Sequence, residues 1–69
     1  MKIQPPRALR LPAVMSLTGL GRATIYRRIR ESSFPKPIRL GGNSAGWIEA
    51  EVLAWLNSRI AERDLERSK

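Results

Sequence analysis

The side chains best suited to chemistry lie in residues 22–30, which read Arg-Ala-Thr-Ile-Tyr-Arg-Arg-Ile-Arg. Ile25 and Ile29 are one helical turn apart, which predicts the buried side of a helix. The opposite side then carries the residues that can reach a partner: Ala23, Arg27 and Arg30, with Thr24 and Tyr26 on the flanks. Arginine side chains hydrogen-bond guanine, and hydroxyl groups bind phosphates or base edges. Because alanine is small, it lets the helix backbone come close to the DNA, and its methyl group can contact the methyl group of thymine. The set fits the major groove of duplex DNA.

Arg22 opens this predicted helix, where the positive end of the helix dipole disfavours a cation. Gly21, which precedes Arg22, leaves the first backbone N–H groups of the helix exposed. A phosphate bound to these groups would offset the unfavourable position of Arg22 and create an anion-binding site. The arginines of the last turns have a second explanation, since cations are favourable there with any partner or none. Tyr26 fits the edge of a core equally well.

The next candidate element is a basic β-hairpin within residues 37–48. Residues 38–40 alternate in polarity, residues 41–44 read Gly-Gly-Asn-Ser, and residues 45–48 return as a second strand. A turn at 41–44 predicts three cross-strand pairs: Leu40 with Ala45 and Ile38 with Trp47 on the buried side, and Arg39 with Gly46 on the other. The hairpin is either an ordinary solvated one or a wing that contacts DNA through Lys36, Arg39, Asn43 and Ser44.

Three helices position these groups. The first is expected at 12–18, between Pro12 and Gly19, and the second at 22–31, after a tight turn in which Leu20 fills the angle between them. The third is expected at 49–63, with a buried stripe of Ile48, Val52, Leu56 and Ile60 flanked by Leu53 and Trp55. Leu53 and Trp55 lie far apart around the helix axis. The helix is therefore either packed on both sides within the domain or contacts a second chain on one side.

Composition narrows the classes of function. The chain has 69 residues, which is room for one small domain, and it contains no cysteine and no histidine. Disulfides, thiolate or imidazole metal sites and a base that titrates near neutral pH are therefore excluded, and we expect no catalytic residues, metal or cofactor. No apolar run approaches the ~18 residues of a membrane span, so we expect a soluble, cytoplasmic protein with no small-molecule ligand.

Positive charge is concentrated in one part of the chain. Residues 1–46 hold nine cations and one acid, whereas residues 47–69 hold four cations and five acids. A polyanion is the expected partner, and nucleic acid is the commonest one, with anionic lipid as an alternative. RNA-binding modules usually display several stacking aromatic rings, but Tyr26 is the single candidate for an exposed ring here. Duplex DNA is therefore favoured over RNA.

The chain resembles the AlpA family of small prophage regulators over about residues 9–63. The resemblance is carried by Leu11-Pro12-Ala13-Val14, Thr18-Gly19-Leu20, Thr24-Ile25-Tyr26-Arg27, residues 34–42, Gly46-Trp47, Glu51-Val52 and Trp55-Leu56. It implies a winged helix-turn-helix related to the MerR and excisionase group, acting as a transcriptional activator or a recombination directionality factor. It also implies a recognition helix with Arg22, Thr24, Tyr26 and Arg27, and a wing with Lys36 and Arg39. The family usually has serine where Gly21 stands, and often arginine where Asn43 stands.

We therefore expect a mainly α protein with a small β-hairpin: an arm at 1–8, a winged helix-turn-helix at 9–63 and a frayed tail at 64–69. The expected partner is double-stranded DNA. A second copy, a recombinase or RNA polymerase are candidate protein partners, because one small module discriminates weakly among DNA sequences. A protein–protein adaptor that uses the flank of Leu53 and Trp55 is a further alternative.

Overall fold

The computed structural model describes residues 6–67, and over that range the chain forms three helices and three short strands. In chain order they are β1 (Ala8–Leu9), α1 (Leu11–Thr18), α2 (Arg22–Arg30), β2 (Ile38–Gly41), β3 (Ser44–Ile48) and α3 (Glu49–Arg67). The predicted fold class, mainly α with a small β-hairpin, is confirmed.

Helices α1 and α2 are joined by a turn that local signals fix. Gly19 has a left-handed φ of 74°, and its N–H donates to the Met15 carbonyl oxygen at 2.8 Å. The Thr18 hydroxyl donates to the Val14 carbonyl oxygen and accepts a hydrogen bond from the Leu20 N–H. Gly19 and the hydrogen bonds of the Thr18 hydroxyl fix the C-terminal end of α1. The bounds of α1 and α2 both lie within one residue of the predicted ones.

The three strands form an antiparallel sheet in the order β1-β3-β2, so β3 lies in the middle. Strand β1 was not predicted. It pairs Ala8 with Ile48 and Leu9 with Trp47, and it overlaps the end of the predicted arm at 1–8. Residues 1–5 of that arm lie outside the described residues. A two-residue strand has no periodicity of its own, so only its long-range pairing reveals it.

The predicted register of the hairpin is wrong by one residue. Cα partners are Ile38 with Gly46, Arg39 with Ala45 and Gly41 with Ser44, with an irregularity between Arg39 and Gly41. Gly41 and Gly42 both take positive φ values, 116° and 54°, which glycine adopts without a steric penalty. The loop between β2 and β3 is therefore shorter than the predicted turn at 41–44. Between the last two pairs, β2 has one residue, Leu40, that has no counterpart on β3. Ile38 and Leu40 are consequently 43% exposed instead of facing the core.

The core is small and draws on most parts of the chain. Val14 of α1, Ile25 of α2, Trp47 of β3, Val52 of α3 and Phe34 in the α2–β2 loop are buried. Six half-buried hydrophobic residues pack around them: Leu9, Leu11, Met15, Leu20, Ile29 and Trp55. Burial of apolar area stabilises a fold by about 25 cal/mol per Å². Because this core contains few side chains, each of them contributes a large share of that stabilisation.

Helix α3 differs from its prediction in two ways. Val52 is buried and Ile48 and Leu56 are half-buried, but Ile60 is 46% exposed, so the predicted core stripe ends one turn earlier. The helix also continues to Arg67, past the predicted end at 63 and into the segment expected to fray, of which residues 68–69 lie outside the described range. Strong helix formers without glycine or proline, and the ion pair of Arg59 with Glu62, explain the extension.

The sheet has no room for a side chain at Gly46, because Leu40 of β2 and Leu9 of β1 lie close to its Cα atom. A Cβ at this position would lie 2.8 Å from the Leu40 Cδ1 atom and 3.3 Å from the Leu9 carbonyl oxygen. We expect Gly46→Ala to lower the free energy of unfolding by about 1–3 kcal/mol, as overpacking does. Urea denaturation followed by tryptophan fluorescence measures it. In a Leu40→Ala background the loss should be smaller, and an equal loss in both backgrounds would contradict this account.

Candidate nucleic-acid interface

Helix α2 presents the predicted face to solvent. Ile25 is fully buried and Ile29 half-buried, so the reverse side of the helix is anchored in the core. On the other side, Ala23, Arg27 and Arg30 are exposed, as is Arg22 at the start of the helix, while Thr24 is half-buried. The anchored isoleucines therefore leave three arginines and a small alanine on one open surface.

Tyr26 joins this surface to the core. Its ring meets the Trp47 ring edge-on, with centroids 6.2 Å apart and planes at 63°. The Arg22 guanidinium carbon lies 5.9 Å from the centroid of the Tyr26 ring, within the range of a cation–π contact. Tyr26 thus covers the core edge, as one of its two interpretations from the sequence has it, and it also contacts the cation of Arg22. The spacing of four residues between Arg22 and Tyr26 was the signal for this contact.

The N-terminus of α2 has the electrostatics of an anion site. Gly21 is extended, no side chain caps the helix, and the first turn contains no acidic residue. The first backbone N–H groups therefore keep their donor capacity, and the positive end of the dipole adds to the charge of Arg22. An anionic oxygen is the group that this arrangement favours.

The hairpin brings together three of the four predicted wing residues. Arg39, Asn43 and Ser44 line a shallow hollow of about 230 Å³ with Gly42 and Ala45. Arg39 is exposed and lies across from Ala45, not Gly46, and this small partner leaves its side chain unobstructed. Lys36 is exposed in the preceding loop and does not line the hollow.

No ion pair of the described residues includes a residue of α2 or of the hairpin. Within residues 6–67 the ion pairs join Arg7 to Glu49, Arg59 to Glu62 and Arg63 to Asp64. In that part of the chain, the arginines of α2 and Arg39 have no carboxylate partner. Their positive field is therefore not neutralised internally and extends into solvent.

The described residues contain neither a metal site nor a membrane span. No group of acidic side chains there is arranged to hold a metal ion. None of the helices there has the length and apolar character needed to cross a bilayer.

A Schellman motif ends α2, and the sequence did not reveal it. The Ser32 N–H donates to the Ile29 carbonyl oxygen at 3.0 Å, and the Ser33 N–H donates to the Arg28 carbonyl oxygen at 2.8 Å. Ser32 takes a left-handed φ of 60° at the position where glycine is usual. The last turn of the helix, which carries Arg30, is fixed by these two bonds.

The arrangement of a buried helix side, an open basic side and an adjacent hairpin is that of a winged helix-turn-helix domain. Residues 7–60 match the family model described as Prophage CP4-57 regulatory protein (AlpA). The chain belongs to the AlpA family of prophage regulatory proteins.

Two relatives share 49% sequence identity with the chain. An uncharacterised protein of enterobacteria phage P4 is 49% identical over 61 residues, covering 88% of this chain and 69% of the phage protein. The DNA-binding transcriptional activator AlpA of Escherichia coli (strain K12) is 49% identical over 59 residues, covering 77% of this chain and 84% of the activator. No solved structure matches the chain.

Ser32 provides a test of how α2 is terminated. A left-handed conformation costs a residue with a Cβ roughly 1–2 kcal/mol, so Ser32→Gly should raise the free energy of unfolding by about 1 kcal/mol. Ser32→Ala keeps the Cβ and serves as the matched control, with little expected change. Thermal and urea denaturation of both variants measure the difference, and a glycine variant no more stable than the alanine variant would refute this assignment.

Proposed function

We propose that this chain is a sequence-specific, double-stranded DNA-binding regulator of transcription carried by a prophage or related mobile element. The observation that carries the proposal is the open face of α2, whose arginines have no carboxylate partner within the described residues while the isoleucines behind them are anchored in the core. The name of the relative from Escherichia coli, a DNA-binding transcriptional activator, supports the same function.

In the proposed complex, α2 enters the major groove. Arg27 and Arg30 reach base edges or phosphates, and Ala23 allows the helix backbone to approach closely. Arg22, held over the Tyr26 ring, binds a backbone phosphate together with the free amides at the start of the helix. Thr24 and the Tyr26 hydroxyl add contacts from the flanks.

The hairpin contacts the adjacent DNA backbone. Arg39 supplies the charge and Asn43 and Ser44 supply polar groups at the tip, while Lys36 acts from the preceding loop. Asn43 carries no charge, so the tip contributes less affinity than a tip with arginine would. Base readout therefore rests mainly on α2.

A domain of this size buries little DNA surface, so one copy discriminates weakly among sequences. Selective regulation then requires several copies on the DNA, or a recombinase or RNA polymerase bound beside it. The function we propose is binding and recruitment and includes no catalytic step.

Arg27→Ala tests the role of α2. We expect it to weaken binding to a duplex selected from a random pool by about 1–3 kcal/mol, and to weaken binding to a scrambled duplex by less. Arg59→Ala removes the same charge from α3 and is the matched control, with an expected change within about 0.5 kcal/mol. Fluorescence anisotropy measures all four affinities. Equal losses for the two variants, or unchanged binding of Arg27→Ala, would reject the assignment of α2.

The ionic-strength dependence tests how many cations touch phosphate. If about five to seven do, the logarithm of the association constant should fall with the logarithm of salt concentration at a slope between about −4.5 and −6.3. Anisotropy titrations across a series of salt concentrations give this slope. A slope shallower than about −2 would mean that α2 and the hairpin do not lie together on the DNA backbone.

A further inference from the structure

The second half of α3 projects into solvent. Every residue from 57 to 66 is exposed, although the helix is continuous to Arg67. Because the helix is already nucleated on the domain, this half presents ordered side chains to a partner without a further folding cost.

One side of α3 carries exposed apolar residues. With about 100° between successive residues, Leu53, Leu56 and Ile60 fall within an arc of about 60°. Leu53 is 42% and Ile60 46% exposed, and Leu56 is half-buried. We call these three residues the α3 stripe. It begins against the domain and continues into the projecting half.

A hollow lies beside the start of the α3 stripe. It has a volume of about 400 Å³ and is lined by Leu9, Ala13, Ser16, Leu17 and Glu49. Leu17 is 41% exposed, and Leu53 follows Glu49 by one helical turn. One molecule thus carries both an exposed apolar stripe and an apolar hollow. In a pair of copies related by a two-fold axis, the stripe of each copy can lie against the hollow of the other.

Charge favours a second copy of this chain over other occupants of the surface. The chain carries a net charge of +7, but α3 contains five acidic and three basic residues. Copies that meet through α3 keep their basic surfaces apart, whereas contact through α2 or the hairpin would bring arginines together. Two antiparallel helices also align opposite ends of their dipoles.

The ends of the stripe carry complementary charges. An antiparallel pair centred between Leu56 and Asn57 places Ile60 opposite Leu53 of the second copy, and Arg63 then lies within one residue of the position opposite Glu49. Glu49 and Arg63 now pair with Arg7 and the adjacent Asp64 in exposed ion pairs of the kind that contribute little and are easily exchanged.

We propose that α3 is a dimerisation element through which two copies of this chain pair antiparallel, with Ile60 of each copy against Leu53 of the other. The projecting half of one α3 lies beside the hollow of Leu9, Ala13 and Leu17 of the second copy. The proposed contact is limited to one flank of α3 and one shallow hollow, so we expect a dimer that is weak in dilute solution and strengthens with concentration. The pairing requires no DNA.

Disulfide trapping tests the pairing and its direction, because the chain has no cysteine of its own. Leu53→Cys and Ile60→Cys proteins are mixed under mild oxidation, with one of them labelled with ¹⁵N so that the mixed disulfide has its own mass. We expect the mixed disulfide to exceed both homodisulfides. Glu62→Cys lies on the opposite side of α3 and gives the background level. Dominant homodisulfides, or a mixed disulfide no higher than that background, would overturn the proposal.

Sedimentation equilibrium of the unmodified chain without DNA provides the second measurement. Ile60→Glu should raise the dimer dissociation constant about ten-fold or more, since it places a charge in the apolar contact. Leu65→Glu is the matched control: Leu65 is 68% exposed on the same helix but lies about 140° from Ile60, so the constant should stay within about two-fold. Circular dichroism establishes that both variants fold. A chain that stays monomeric at every concentration, or equal effects of the two variants, would overturn the proposal.

Discussion

The burial of Trp47 is the constraint on which the rest of the structure depends. Its side chain is 1% exposed, and its indole N–H donates to the Pro35 carbonyl oxygen at 3.1 Å. Trp47 sits on the middle strand, pairs with Leu9 of β1 and touches the Tyr26 ring of α2. One side chain therefore joins the sheet, the loop after α2 and α2 itself, and the hairpin and α2 are held together.

This anchoring separates two kinds of surface in space. The cations of α2 and the hairpin lie on elements held by Trp47 and Ile25, and the ion pairs of the described residues lie elsewhere. The acidic residues are concentrated in α3, which carries the apolar α3 stripe. A small domain thus presents one surface suited to a polyanion and another suited to a second copy of itself.

The features that were predictable from the sequence depend on local signals. Pro12 and Gly19 mark the ends of α1, and the one-turn spacing of Ile25 and Ile29 sets the orientation of α2. The exposure of Arg27 and Arg30 follows from that spacing. These predictions succeeded because neighbouring residues decide them.

The features that the sequence did not predict depend on contacts between distant residues. The hairpin slips by one residue because Gly41 and Gly42 both take positive φ values, and the Leu40 side chain then packs against Gly46. Strand β1 exists only through its pairing with β3. Ile60 continues a regular apolar stripe, yet the core ends before reaching it, and no periodicity signals where a small core stops.

The most direct test of the central claim is an NMR titration of the arginine side chains with duplex DNA at low salt, observing the Nε–Hε signals. If the open side of α2 binds DNA, the signals of Arg22, Arg27 and Arg30 shift strongly, that of Arg39 shifts with them, and those of Arg59 and Arg63 stay in place. Shifts confined to the arginines of α3, with those of α2 unchanged, would contradict the account.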